Sequence, residues 1–259
     1  MQPLNLALIQ SATYWHDPVA NREHFEPLIR ASSERADLIV LPEMFTTGFT
    51  MESRTVAETM DGATVSWLRE VAQEIDTAIC GSVVIEADGC YFNRFLWVSP
   101  DGDVGSYDKR HLFRMAGEHE YYDIGSAKTV FELGGWRVCA MVCYDLRFPV
   151  WFRNEGDYDA IVCVANWPAA RRDAWLTLLR ARAIENQVYA AGVNLVGVDG
   201  NSVAYSGGTA AYGPDGEVLA ERLDDAGVEF VTFNAEKLVQ RREEFPVWRD
   251  ADKFQLDQE

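Results

Sequence analysis

Positive charge is scarce in this sequence. Its 259 residues hold 23 Lys plus Arg against 41 Asp plus Glu, a formal net charge of −18, with four histidines. Nucleic acids and anionic membrane surfaces are bound by basic faces, so this deficit argues against both as partners. Long apolar runs are missing too. No stretch reaches the roughly 18 residues a spanning helix needs, and Met1-Gln-Pro-Leu-Asn-Leu-Ala has no basic segment leading into an apolar one, so no signal peptide is expected. Cysteine is sparse and odd in number: Cys80, Cys90, Cys139, Cys143 and Cys163 form no CxxC pair and no Cys/His grid at zinc spacing. Reduced thiols in a cytoplasmic protein with no bound metal are the expectation.

What is present is ordinary globular composition, 48% apolar and 25% charged, enough to bury a core without disulfides. No linker, repeat or low-complexity tract divides the chain, so one domain over 1–259 is expected. Apolar runs read as buried strands at Leu4–Ile9, Leu38–Leu41, Ala78–Ile85, Tyr91–Val98, Val138–Val142, Ala160–Val164, Ala190–Val196 and Val228–Phe233. Helical spacing appears over Asp17–Arg35, Thr64–Ile75 and Arg171–Tyr189. The turn sequences Ala87-Asp88-Gly89, Pro100-Asp101-Gly102 and Pro214-Asp215-Gly216 add hairpins to the strand–helix alternation. The class is α/β or α+β, with strands inside and helices outside. The pattern does not decide between one sheet and two.

Three segments carry chemistry-bearing side chains at strand ends, where α/β proteins collect functional groups. Cys143 ends the run Val138–Val142 and precedes a segment that reads as a helix start, with Asp145 as its N-cap. A helix N-terminus and a nearby cation both favour thiolate, although a buried structural thiol is the commoner role of a free cysteine. Glu43 follows Leu38–Leu41 and Pro42, where it reads either as a base or as a loop acid. Lys109 lies in Tyr107-Asp108-Lys109-Arg110-His111-Leu112-Phe113, where it could stabilise an oxyanion or belong to a solvated basic run. Of the four histidines, His111 and His119 alone sit in a loop that could reach such a site.

Taken in order, Leu41-Pro42-Glu43, Lys109-Arg110-His111-Leu112-Phe113 and Cys143-Tyr144-Asp145-Leu146-Arg147-Phe148-Pro149 resemble the nitrilase (carbon–nitrogen hydrolase) superfamily. Arg182-Ala183-Ile184-Glu185-Asn186-Gln187-Val188-Tyr189, Gly213-Pro214-Asp215-Gly216-Glu217-Val218-Leu219 and Phe245-Pro246-Val247-Trp248-Arg249 bring it nearest the omega-amidase branch. The resemblance implies a four-layer αββα sandwich with two packed mixed β-sheets and outer helices. It also implies a Glu43–Lys109–Cys143 triad, with a further glutamate for which spacing favours Glu118 and keeps Glu120 in reserve. Val150 stands where many members have glutamate after Arg-Phe-Pro, a departure outside the triad. The implied reaction is amide hydrolysis through a thioester on Cys143, with Lys109 and the Tyr144 backbone N–H holding the oxyanion and no cofactor.

On the omega-amidase branch the substrate would be a small dicarboxylic monoamide such as 2-oxoglutaramate or 2-oxosuccinamate. Its carboxylate would meet Arg147, or less readily Arg114, in a pocket walled by Phe45, Phe113 and Trp167. Other family chemistries remain open: hydrolysis of another amide, a nitrile, a carbamoyl amide or deaminated glutathione. So do a papain-like pair of Cys143 with His111 and a non-enzymatic interaction scaffold. The broad apolar surface of Arg171–Tyr189 (Trp175, Leu176, Leu178, Leu179, Ile184) points to a homodimer or higher homo-oligomer, with a tail of about 240–259 packing on the partner.

Overall fold

The computed structural model describes residues 1–256. Its strands, in chain order, are β1 (Leu4–Gln10), β2 (Leu38–Val40), β3 (Ala78–Ala87), β4 (Cys90–Val98), β5 (Val104–Asp108), β6 (Val130–Leu133), β7 (Trp136–Val142), β8 (Ala160–Val164), β9 (Tyr189–Val193), β10 (Val196–Val198), β11 (Ala204–Ser206), β12 (Thr209–Tyr212), β13 (Val218–Arg222) and β14 (Gly227–Phe233). The helices are α1 (Pro18–Ser32), the single turn α2 (Ser53–Val56), α3 (Ala63–Ile75), α4 (Arg172–Asn186) and α5 (Ala235–Glu244).

Two six-stranded mixed sheets form, in the orders β14-β1-β2-β3-β4-β5 and β13-β12-β9-β8-β7-β6, with β10-β11 as a separate ribbon. Each sheet has three neighbouring parallel strands, β1-β2-β3 and β9-β8-β7, flanked by antiparallel ones. Alternation along each strand divides the core into layers. Leu6, Leu8, Leu38, Val40, Phe95 and Trp97 face Trp136, Val138, Ala140 and Val142 between the sheets. The opposite faces of β1, β2 and β3, with Ala7, Ile9, Ile39 and Ile79, pack on Phe25 and Ile29 of α1 and Val65 and Leu68 of α3. On the far side, Trp175, Leu179 and Ala183 of α4 cover the second sheet. The fold is thus the four-layer αββα sandwich, which decides the open choice in favour of two sheets.

Local chemistry sets the boundaries. Asp17 caps α1 by accepting the Ala20 N–H, and Gln187 closes α4 with φ +48°. The β3–β4 hairpin turns on Asp88 and Gly89, both at positive φ, as a two-residue loop requires. The single strand expected over Ala190–Val196 is two, because Asn194 interrupts it. That buried amide donates to the carbonyls of Trp167 and Gly207 and accepts the Trp167 N–H, so the chain turns rather than continuing a ladder. The helix expected after Cys143 is a five-residue 3-10 turn, Cys143–Arg147. At the C-terminus, Phe254 and Leu256 line a cavity with Val150 and Trp151 of the same chain. The last part of the tail named above, 257–259, lies outside the described residues.

Candidate active site

Three loops converge past the strand ends. Glu43 follows β2, on a turn held by the Met44 N–H donating to Ser82 Oγ (2.8 Å) and the Phe45 N–H to the Ser82 carbonyl (3.1 Å). Lys109 directly follows β5. Its N–H donates to the Asn93 carbonyl on β4, and its carbonyl accepts the Gly125 N–H, both at 3.0 Å. Gly125 is there because a Cβ would lie 2.0 Å from the Asp108 carbonyl oxygen. Glu118 opens a 3-10 turn in the loop between β5 and β6. Cys143 directly follows β7 with φ +48°, a left-handed conformation that costs a non-glycine residue about 1–2 kcal/mol and marks a constrained turn.

The side chains meet in a sealed polar cluster. Lys109 Nζ donates to Glu43 Oε1 (3.0 Å) and to both oxygens of Glu118 (2.9 and 3.0 Å), and all three residues are essentially inaccessible. Asn93 Nδ2 donates to Glu43 Oε1 (2.8 Å) and, at 3.4 Å, to Glu118 Oε1, while its Oδ1 accepts from Ser82 Oγ (2.8 Å). Glu43 Oε2 accepts the Asn166 N–H (2.7 Å), and Glu118 Oε2 the Phe113 N–H (2.5 Å). A second node ties the lysine loop to the cysteine turn. Asp145 accepts from Tyr107 Oη (2.8 Å), the His111 N–H (2.9 Å) and the Val142 N–H (3.1 Å), and lies 2.8 Å from His111 Nδ1. It therefore does more than cap a turn: it fixes Lys109 and Cys143 relative to each other.

Electrostatics sort the protons. Burial alone would pull the Lys109 amine down, but Glu118 and Glu43 outweigh it and hold the ammonium well above its ordinary value. Burial raises the Glu118 carboxyl, against the pull of Lys109. Burial and then the Glu43 carboxylate push the Cys143 thiol well above its ordinary value, against a smaller opposing effect of Lys109. The thiolate expected from a helix end and a cation is not what this environment favours. The 3-10 turn is too short for a sizeable dipole, and the lysine's charge is already taken by two carboxylates. Cys143 rests as a thiol with a carboxylate base at close range.

A cavity of about 620 Å³ opens over the cluster and exposes Lys109, Cys143, Tyr144, Asn166 and Trp167 to its interior. Phe113, Tyr144, Arg147 and Trp167 line it as the sequence suggested. Phe45 does not. The chain turns at Met44 (φ +42°) and sends the Phe45 ring into the outer core, 5.7 Å from the Phe25 ring centroid and 6.3 Å from that of Trp67. Phe49 and Met51 take the wall position instead. Arg114 is exposed and off the wall, as is Glu120, so Glu118 is the glutamate that meets Lys109. His111 is stacked on Phe148 (3.9 Å between centroids), held to Asp145 and off the cavity wall, while His119 is exposed. This removes the papain-like pairing.

Sequence reasoning missed Asn93, Asn166 and Arg171. Asn93 could have been found as a neutral amide inside the apolar run Tyr91–Val98. Asn166 follows β8 much as Glu43 follows β2, so the strand-end rule applied to it equally. Its Oδ1 is buried without a hydrogen-bond donor. Among the described residues no group of three or more His, Cys, Asp or Glu could hold a metal ion, and no helix is long and apolar enough to cross a membrane.

A buried glutamate–lysine–glutamate cluster under a cysteine at a strand end is the arrangement the sequence motifs implied. The carbon–nitrogen hydrolase family profile matches residues 5–242. The chain belongs to the carbon–nitrogen hydrolase family. It is 46% identical to the omega-amidase YafV of Escherichia coli, over 99% of this chain and all of that one. It is 33% identical to a 2-oxoglutaramate amidase of Bacillus subtilis, over 96% and 97% of the two chains. The crystal structure of a carbon–nitrogen hydrolase superfamily protein from Xanthomonas campestris, with an arsenic adduct in its active site, superposes with a TM-score of 0.97. It is 44% identical, over 99% of this chain and all of that one.

Proposed function

We propose that this hydrolase is an omega-amidase, cleaving the carboxamide of a small dicarboxylic monoamide such as 2-oxoglutaramate or 2-oxosuccinamate to the acid and ammonia. The observation that carries the reading is Cys143 on the wall of a cavity, beside the buried Glu43–Lys109–Glu118 cluster. The names of the relatives above support the substrate class. In this mechanism Glu43 takes the Cys143 proton as sulfur attacks the amide carbon. Lys109 and the Tyr144 N–H hold the oxyanion. The protonated Glu43 then gives its proton to the departing nitrogen, leaving a thioester, and water activated by Glu43 releases the acid. Glu118 fixes the Lys109 ammonium, and Asn93 orients the two carboxylates around it, without reacting. Retention of all these groups in one cluster supports an enzyme over a scaffold.

Purified wild-type protein should release ammonia from 2-oxoglutaramate faster than from an uncharged aliphatic amide of the same length. Cys143→Ala should release none, and the wild-type acyl adduct on Cys143 should appear by mass spectrometry. Equal rates on the two amides would remove the omega-amidase reading, and an active Cys143→Ala would remove the mechanism.

The chain is also proposed to act as one cytoplasmic domain that pairs with a second copy. Half-exposed apolar side chains on α4 and α5 (Ile184 and Val239) and in the tail (Phe245 and Trp248) support such a contact.

A further inference from the structure

Arg147 and Arg171 both line the cavity that contains Cys143. Arg147 lies with its guanidinium carbon 4.8 Å from the centre of the Trp167 ring, and Arg171 5.4 Å from that of Phe113. The two platforms are tied together, because Trp167 Nε1 donates to the Arg171 carbonyl at 2.8 Å. A guanidinium resting on a ring face keeps its N–H edges free for planar acceptors.

Those edges are unused. Among the described residues neither side chain makes an ion pair or donates a hydrogen bond, whereas nearby arginines are occupied. Arg172 holds Asp224 (2.6 Å) and the Ser206 carbonyl, Arg110 the Gly125 carbonyl, and Arg182 Glu185 and the Leu146 carbonyl. The carboxylates near the cavity are spent as well. Asp199, on its wall, accepts from Tyr205 Oη and the N–H groups of Asn201 and Val203, while Glu43 and Glu118 hold Lys109. Two half-buried cations whose N–H edges have no partner thus face an aromatic-lined cavity, placed to take planar acceptors from outside.

We propose that Arg171, with Arg147, forms a two-point clamp for the acid end of the substrate and is a specificity-determining residue of this enzyme. The inference rests on the amidase reading above and sharpens it. A 2-oxo acid end offers only acceptors, three oxygens in or near one plane, and suits two guanidinium edges. The ammonium of an amino-acid amide such as glutamine would meet two guanidinium groups that offer it no acceptor, and is rejected. The clamp therefore separates 2-oxo acid amides from the 2-amino acid amides of the same length, a discrimination made by repulsion as much as by attraction.

The test is a ratio. kcat/KM is measured on 2-oxoglutaramate and on uncharged pentanamide for wild type, Arg171→Met, Arg171→Lys and Arg172→Met. Arg171→Met should lower the charged-to-neutral ratio by about tenfold or more, with the loss in KM, as expected for removal of one charged contact to a carboxylate. Arg171→Lys should recover part of it, and Arg172→Met should keep the wild-type ratio. A wild-type preference for 2-oxoglutaramate that survives in Arg171→Met overturns the clamp and leaves the amidase reading standing. Parallel losses on both amides make Arg171 structural and also overturn it. A wild type with no preference sinks both.

Discussion

Glu43 is asked to serve as base, acid and base again, and its surroundings show how one carboxylate could do so. Oε1 is held by Lys109 and Asn93 and Oε2 by the Asn166 N–H, so the group cannot rotate away between steps. Glu43→Gln preserves shape but cannot accept the thiol proton. Because burial and the neighbouring carboxylate keep Cys143 protonated, no preformed thiolate can take over. Steady-state ammonia release should fall by about 10³, within the range that a positioned base contributes. A loss below about tenfold would assign the proton to another acceptor. At this scale Glu43, Lys109 and Cys143 were legible as candidates in the sequence because each directly follows a strand end or lies within three residues of one. Asn93 was not, because a lone asparagine in an apolar strand gives no sign of which face it occupies until the register with β3 and β5 is known. Phe45 misled for the related reason that one positive φ, at Met44, redirects every side chain after it.

Elements rather than residues decide acid stability. Asp159, at the entry to β8, accepts from Arg137 on β7 (2.9 Å) and from Arg242 on α5 (2.7 Å). Burial would raise its carboxyl, but the hydrogen bonds from the two guanidinium groups outweigh it and lower it below the ordinary value. A depressed carboxyl contributes stability that is present above the unfolded-state value of about 3.9 and lost as pH falls through the folded-state value. Thermal unfolding followed from pH 6 to pH 2 should therefore show α5 and the second sheet loosening below about pH 4. Asp159→Asn should be less stable at pH 6 and should flatten that part of the profile. An unchanged slope in the variant would assign the acid sensitivity elsewhere. The sequence read the long helices to within a few residues because their apolar spacing is strong. It overextended the segment after Cys143, since Tyr144 to Phe152 has helix-compatible residues yet Asp145 is drawn to three backbone and side-chain donors of other segments.

For the whole molecule, the apolar groups left uncovered on α4, α5 and the tail predict a mass in light scattering of twice 29.2 kDa. A single-chain mass would leave those side chains to solvent and remove the pairing. The face-to-face packing of two sheets was visible in the sequence only through the family motifs, because alternation and hairpins are compatible with either one sheet or two. That packing puts the cluster under a cavity floor from which water is largely shut out. Two carboxylates, one ammonium and a neutral thiol sum to a single surplus negative charge. When the thiol proton passes to Glu43 and the electron pair moves through sulfur onto the substrate oxygen, the sum is the same. Within that step the cluster neither gains nor loses charge. One unit merely changes owner across a few ångströms, so the solvation bill of the attack is settled when the chain folds.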